Sequence, residues 1–493
     1  MKSILFNLRN SNPYRLLWAV ILIERLATIL IYNLRTGDSD QTILWHMAKD
    51  LMEGEFHTFT FYGQSYNLAL EAFLVLPFLK LGLSYPLSFA LITTLLSLLP
   101  FWVLSNLFYK TWGEISGTIP LVVLLLLPPE YLMLTSISRG FVQGIALSSV
   151  ALYAWHGTQR NLYAIIAGLF IPMAIMGNPN CLLFLPVFLL FHQHPLKRYA
   201  WFGLGFCLGL LLVYLHTQWF LRHPEYIIHP APGFSVSWQY AQKILHHLDD
   251  YFNSITPVFW RLGWLLIPLF MVLIVFLMTK VKWPLKVSLA LWGIGLVFSF
   301  FLEKTTDATG SVYFSGGRMF LAWPFLWVVV LGMSYSLYPK PKWLSGLIPL
   351  VCGLGLLKSL LLPFFIRWHH AHQTNHIVHV FNHKDLKHQC LVFQNLSQKL
   401  QVDLMEGVSG HTGNQHIAYA CPCLIPDFPQ TYLSGYERRT WLSAKRGWYN
   451  RVLEFSSANQ DTLKMPQARV LWKHEYPDFY IAFRENKGKP EEK

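Results

Sequence analysis

Pro86-Leu-Ser-Phe-Ala-Leu-Ile-Thr-Thr-Leu-Leu-Ser-Leu-Leu-Pro100-Phe-Trp-Val-Leu-Ser-Asn-Leu-Phe108 carries no charged side chain, over a length that matches the ~20 apolar residues needed to cross a bilayer's hydrocarbon core. Stretches 261–279, 287–302, 318–337 and 344–366 read almost the same way. A soluble helical protein can bury one or two all-apolar helices, but not most of its length. The whole chain of 493 residues is 53% hydrophobic and 13% charged, where soluble domains carry about 25% charged residues. The fold class is therefore an all-α polytopic transmembrane bundle. The net charge of +13 would suggest nucleic acid in a soluble chain. Here Lys and Arg flank apolar runs, where they set topology, and nucleic acid is set aside as a partner.

Outward from 86–108, eleven spans are expected, at 16–33, 67–81, 87–108, 117–133, 141–155, 162–191, 200–220, 261–279, 287–302, 318–337 and 344–366. The first lacks a small-residue cleavage site and reads as a retained anchor. Gly177-Asn178-Pro179-Asn180 interrupts 162–191, and broken backbone at membrane depth is tolerated only inside protein or beside a cavity. With the N-terminus inside, the inner segments collect Lys80, Arg139, Lys197, Arg198, Lys280, Lys282 and Lys286, among others. The outer loops then collect Asp38, Asp40, Asp50, Glu53, Asp249 and Asp250, and the basic bias supports this orientation. The domain reading is a membrane domain over 1–366, with long outer loops at 34–66 and 221–260, and a small mixed α/β soluble domain over 367–493 on the outer side. Strand-like pieces in that tail are Cys390 to Phe393, Val470 to Lys473 and Phe479 to Phe483. In an oxidising compartment Cys390 could pair with Cys421 or with Cys423. No repeat symmetry of a transporter is visible.

The polar residues concentrate at Arg35-Thr-Gly-Asp38-Ser-Asp40, followed by an amphipathic stretch with Ile43, Met47, Ala48 and Leu51 on one face and ending at Gly54. Asp40 is suited to cap that helix, which would lie flat at the interface. Next come Gly63-Gln64-Ser-Tyr66 and Leu70-Glu71-Ala72. Taken together, residues 35–72 resemble the first external loop of the GT-C glycosyltransferases, the polyprenyl-phosphate-sugar-dependent group that includes protein O-mannosyltransferases and lipid A aminoarabinose transferases. Outside 35–72 the similarity is one of architecture. The chain has Asp38-Ser39-Asp40 where many members carry adjacent Asp-Glu, so the choice of base stays open between the two.

The resemblance implies an inverting transfer of sugar from a polyprenyl-phosphate donor to an acceptor hydroxyl at the outer face of a bacterial inner membrane. The acceptor would be a lipid, glycan or protein. An attacking hydroxyl needs a carboxylate base, here Asp40 or Asp38. The departing phosphate needs cationic stabilisation, for which Arg318, after Gly316-Gly317, is first candidate and Arg261 second. Arg318 could equally be an interfacial arginine that snorkels. Lys358 lies within a span, where a charge is costly. It would reach a phosphate or pair with Glu24. Glu71 is a candidate for binding the sugar or helping to hold a metal and reads equally as a capping or bridging carboxylate, and Tyr66 and Gln64 are candidates for binding the substrate or its phosphate. No metal ligand set is assigned, although Asp249 and Asp250 could join Asp38 or Asp40 around a divalent cation. His372, His376, His379 and His383 share a helical face but span three turns, too far for one zinc. The competing readings are a lipid-linked glycan flippase or transporter, and an O-antigen ligase or polymerase-type enzyme.

Overall fold

The structure, a computed structural model, describes residues 12–157, 160–191, 195–229, 235–257, 262–306, 316–337, 343–371, 380–408, 415–434, 437–442, 449, 451–456 and 480–485. Arg261, His372, His376, His379 and the 470–473 piece lie outside the described residues. The chain divides into two compact units. One comprises 1–32, 90–215 and 232–374. The other comprises 33–89, 216–231 and 375–493.

The first unit is a helical bundle. Among the described residues, Pro13–Asn33, Tyr85–Trp112, Leu196–Arg222 and Gly346–Trp368 are long and apolar enough to cross a membrane. Shorter apolar helices run over Asn161–Gly177, Leu265–Lys280, Trp283–Ser299 and Trp323–Leu337. Leu204, Leu208, Leu211, Val272, Ile294 and Leu360 stand exposed on these helices, the surface expected where lipid is the solvent. Small residues let helices meet closely. A methyl group on Gly168 would collide with the Phe202 carbonyl, and one on Gly205 with that of Ile165. Buried hydroxyls such as those of Thr28 and Ser97 donate to carbonyls of the preceding turn, so they add no unpaired donor to the interior.

Two sequence expectations change here, and the interruption expected in a third segment is seen. Segment 67–81 is two five-residue helices, Leu70–Leu74 and Leu76–Lys80. At 1.5 Å per residue together they reach about half of the ~30 Å core, so they are not a span. Segment 117–133 breaks at Leu127-Pro128 into Glu114–Leu126 and Pro129–Ser136, bent by 93°. Pro128 holds its own φ near −68° and Leu127 is extended, as a residue before proline prefers. Segment 162–191 is helix to Gly177 and then 3₁₀ turns over Pro179–Leu183 and Leu185–Phe191, so its interruption is real.

The second unit is mixed. Strands β1 (Thr36–Asp38) and β4 (Val380–Asn382) pair antiparallel, and β2 (Gly63–Gln64) pairs parallel with β3 (Ile227–His229). A four-stranded sheet has the order β6-β5-β7-β8, with β5 at Leu404–Val408, β6 at Gln430–Ser434, β7 at Arg451–Ser456 and β8 at Tyr480–Glu485. β5 runs parallel to β6 and β7, and β8 is antiparallel to β7. The 479–483 expectation is thus a strand from Tyr480. The 390–393 piece is not. It lies in the His383–Lys399 helix, whose face of Leu386, Cys390 and Phe393 is buried. Cys390 is joined to Cys421 of the Gln415–Leu424 helix, with Cα atoms 5.4 Å apart, and Cys423 stays a free thiol. The Gln415–Leu424 helix in turn packs against Ser39–Met52.

Candidate functional site

In the second unit the Ser39–Met52 helix positions the loop acids. Its N-cap is Asp38, not Asp40. The Asp38 carboxylate accepts from the Gln41 amide at 2.9 Å, and its backbone is extended. Pairing of β1 with β4 holds Asp38 extended, which is the conformation a cap requires. Asp40 then falls in the first helical turn, where a carboxylate favours the helix dipole. The two acids differ in access: Asp38 is fully buried, whereas the Asp40 side chain is 33% exposed. At the other end of the helix Gly54, with φ +86°, makes the left-handed turn that glycine allows without strain.

Asp40 meets Arg438, Nη2 to Oδ1 at 3.4 Å. The same guanidinium stacks over Phe61, 5.4 Å from its centroid. Gly63 makes room for the aliphatic stem that carries it. Its φ is +76°, and a Cβ there would sit 3.3 Å from the Arg438 side chain. The glycine in the aromatic-Gly-Gln segment therefore serves both the backbone turn and the approach of a cation to the acidic loop.

Behind this pair lies a buried network. Arg439 donates to Glu437 at 2.8 Å and 3.0 Å and to the Thr431 carbonyl at 2.7 Å. It also lies 3.1 Å from His46 Nε2. A guanidinium only donates, so His46 accepts at Nε2. Burial, then the Arg439 charge, pushes the His46 imidazolium well below its ordinary range, which keeps the ring neutral and able to accept. Asp50 accepts from the Tyr62 hydroxyl at 2.5 Å. Burial pushes Asp50 up to about 6, held back by the Tyr62 hydrogen bond and Arg439. Trp441 stacks on His57 at 3.8 Å and on Tyr226 at 5.6 Å, with the Tyr62 ring edge-on.

Gln64 lies in β2 and its carbonyl accepts from Thr60 at 2.7 Å. Tyr66 is half-buried, and Glu71 is fully buried at the start of its short helix. His383 opens its helix, and burial lowers its imidazolium to about 4.

In the first unit Lys358 pairs with Glu24 at 2.6 Å, and its Nζ donates to the carbonyls of Leu125 and Leu127 at the break after Leu126. Of the two readings of this lysine, the structure shows the pairing. Arg318 lies in a 3₁₀ turn over Gly316–Phe320, buried, 5.4 Å above the Phe141 ring. Arg139 lies 5.0 Å from the same ring. An inner Arg139 and an outer Arg318 cannot both stand. The broken 114–136 segment removes the alternation that had put them on opposite sides. Among the described residues no three His, Cys, Asp or Glu side chains group to hold a metal ion, and Asp250 instead lies 3.5 Å from His247.

Arg438, Arg439, Glu437, His46, Asp50 and Tyr62 were not singled out from the sequence. The one local signal was Glu437-Arg438-Arg439, a charged triplet in a tail otherwise read only for strands.

The helical bundle of the first unit and the mixed architecture of the second have a counterpart among solved structures. In particular, the chain has the fold of ArnT, a lipid A aminoarabinose transferase. The crystal structure of ArnT from Cupriavidus metallidurans in the apo state superposes with a TM-score of 0.60 at 12% identity, covering 94% of this chain and 97% of that one. The structure of the same protein bound to undecaprenyl phosphate superposes with a TM-score of 0.60 at 11% identity and the same coverage. No family model matches the sequence, and no curated protein matches it significantly.

Proposed function

We propose that this chain is an integral membrane glycosyltransferase. It takes a sugar from a polyprenyl-phosphate donor and passes it to an acceptor hydroxyl at the outer face of a bacterial inner membrane, with the N-terminus cytoplasmic. The observation that carries this reading is the likeness of fold along nearly the whole chain to a protein solved with undecaprenyl phosphate, joined to an accessible carboxylate on the first loop.

Asp40 is the proposed general base. As the acceptor oxygen bonds to the anomeric carbon, its proton passes to the Asp40 carboxylate. The bond from that carbon to the phosphate oxygen breaks, and polyprenyl phosphate leaves with the electron pair. One displacement inverts the centre, through an oxocarbenium-like transition state of the kind found in glycoside hydrolysis. Asp38 is engaged as a cap and buried, which favours Asp40 for a proton transfer needing contact with the acceptor. Arg438 orients Asp40. Arg318 is assigned to the departing phosphate, with Arg261 as a second cation, and Gln64, Tyr66 and Glu71 to the sugar.

The test is reconstitution in liposomes with a radiolabelled polyprenyl-phosphate hexose and a lipid or glycan acceptor. Sugar should leave the polyprenyl phosphate with wild type and not with Asp40→Asn. Transfer by Asp40→Asn at the wild-type rate would discard Asp40 as base. Movement of intact lipid-sugar across the bilayer without cleavage would make the protein a transporter instead.

A further inference from the structure

We infer that the groove between the Leu265–Lys280 and Trp283–Ser299 helices of the first unit holds one acyl chain of an anionic phospholipid, whose phosphate sits against Lys282 and Lys286. The inference needs only that these helices lie in a bilayer, so it stands apart from the glycosyltransferase reading.

The groove has a volume of about 550 Å³, in the range of sites that hold small ligands. Met271, Ile274 and Met278 line it from one helix, and Ala290, Gly293 and Val297 from the other. Both sets recur at steps of three and four residues, which is one face of each helix. Gly293 keeps the two faces from closing, since a Cβ there would come 3.3 Å from the Met271 Cε. Methionine side chains adapt to what they touch, as a flexible chain requires. The lining from Leu289 to Phe298 runs about 14 Å at 1.5 Å per residue, close to half of the ~30 Å hydrocarbon core. That is the depth of one leaflet, and so of one acyl chain.

Both lining faces run into a lysine. Lys282 comes four residues after Met278, at the turn that joins the helices. Lys286 comes four residues before Ala290, one turn away on the same face. Lys280 adds a third cation at this end, and no acid occurs between Asp250 and Glu303. Among the described residues none of the three lysines forms an ion pair. Trp283 stands 74% exposed between them, the place an aromatic anchor takes at the boundary of lipid and water. The opposite end of the groove is walled by Val236 and Phe301.

A lysine that merely sets topology needs no groove leading to it. A phospholipid with an acidic head uses both features. Its chain fills the groove and its phosphate meets the ammonium groups at the turn, as basic pockets between membrane helices hold acidic head groups.

The test is native mass spectrometry of the full-length protein in detergent, titrated with phosphatidylglycerol, phosphatidylcholine or undecaprenyl phosphate. Wild type should bind one phosphatidylglycerol at least fivefold more tightly than phosphatidylcholine. Lys282→Gln combined with Lys286→Gln should erase that preference. Ala290→Phe should fill the groove and weaken phosphatidylglycerol at least fivefold, with a thermal melt to show that it folds. Should it fail to fold, Ile294→Phe, at a groove position 66% exposed, takes its place. Leu360→Phe, at an exposed position on another helix, should bind as wild type does. Equal affinity of wild type for the two phospholipids overturns the inference, as does wild-type affinity in the lysine variant. Lost affinity in the lysine variant with the groove variant unchanged also overturns it, because the head would then bind without the chain. Displacement of phosphatidylglycerol by equimolar undecaprenyl phosphate would make the occupant a polyprenyl chain and overturn the phospholipid. None of these outcomes bears on sugar transfer, which the liposome assay reads separately.

Discussion

Replacing Lys358 by Met separates a structural lysine from a ligand-binding one. Nζ lies 2.6 Å from Glu24, and 2.9 Å and 2.6 Å from the carbonyls of Leu125 and Leu127. Removing one partner of a buried ion pair costs about 3–5 kcal/mol, because the other charge is left alone. The two carbonyls at the helix break lose their donor as well, at about 1 kcal/mol each. The expected loss is thus on the order of 5 kcal/mol. At roughly 2 °C per kcal/mol, the low end of the range for chains of 150–250 residues, the thermal midpoint should fall by about 10 °C. The assay is the fraction of monomer surviving heat in detergent, read by size exclusion. Glu24→Gln should cost less, since its amide oxygen can still accept from Nζ. The double variant should recover at least about 2 kcal/mol relative to the sum of the singles, the signature of direct coupling. A Lys358→Met protein that melts like wild type but no longer binds undecaprenyl phosphate would refute the reasoning and return Lys358 to the phosphate.

Asp38→Ser keeps a good cap and loses the carboxylate, while Asp38→Ala also loses the cap at about 1 kcal/mol; sugar transfer by Asp38→Ser alongside an inactive Asp40→Asn would assign the base, and the reverse pattern would move it. Arg438→Ala should lower transfer by about tenfold while the protein still melts cooperatively, because the proposed base Asp40 loses the buried guanidinium that orients it; unchanged turnover would remove Arg438 from the site. The Asp50 carboxyl lies above its ordinary range, at about 6, so its stabilising contribution is complete below pH 4 and is lost as pH rises through about 6. Asp50→Asn should therefore gain on wild type by up to roughly 3 kcal/mol between pH 4 and pH 7.5, and a pH-independent difference in thermal midpoint would contradict this. Cys390→Ser opens a link between residues 31 apart, worth about 3 kcal/mol; reductant should lower the midpoint of wild type and leave that of the variant unmoved.

How much was legible depended on the range of the signal. Charge-free runs of bilayer length reveal themselves, because lipid forbids an unpaired backbone and rewards helix. The Glu24–Lys358 pair was readable for the same reason: charges inside apolar runs need a partner, and few were available. The cap was misplaced by two residues. Asp38 and Asp40 are equally good cap types, and the deciding factor is the pairing of β1 with β4, whose partner strand lies far along the chain. Segment 67–81 misled because it is as apolar as a span, yet Leu76-Pro77 restarts the helix and limits each half to five residues. Between Cys421 and Cys423 the sequence could not choose. The Gln415–Leu424 helix turns the former toward Cys390 and leaves the latter bonded to the Tyr419 carbonyl. Arg438 was invisible from loop one, since 398 residues separate it from Asp40.

The division of labour proposed for the two aspartates follows from this long-range pairing. A carboxylate that caps a helix has one oxygen committed to a backbone amide, and Asp38 is also enclosed on all sides. Using it as a base would cost the cap each time it took a proton, since a protonated acid is a weaker acceptor. Asp40 sits two residues further on, where the helix dipole favours its charge and where a third of the side chain remains open. Its neighbour Arg438 arrives through the gap that Gly63 leaves. A larger residue at 63 would both strain the turn and press on the Arg438 stem that carries the guanidinium. Gly63→Ala should therefore reproduce the Arg438→Ala defect in turnover without touching either charge. Turnover by Gly63→Ala at the wild-type rate would remove Gly63 from the positioning of Arg438.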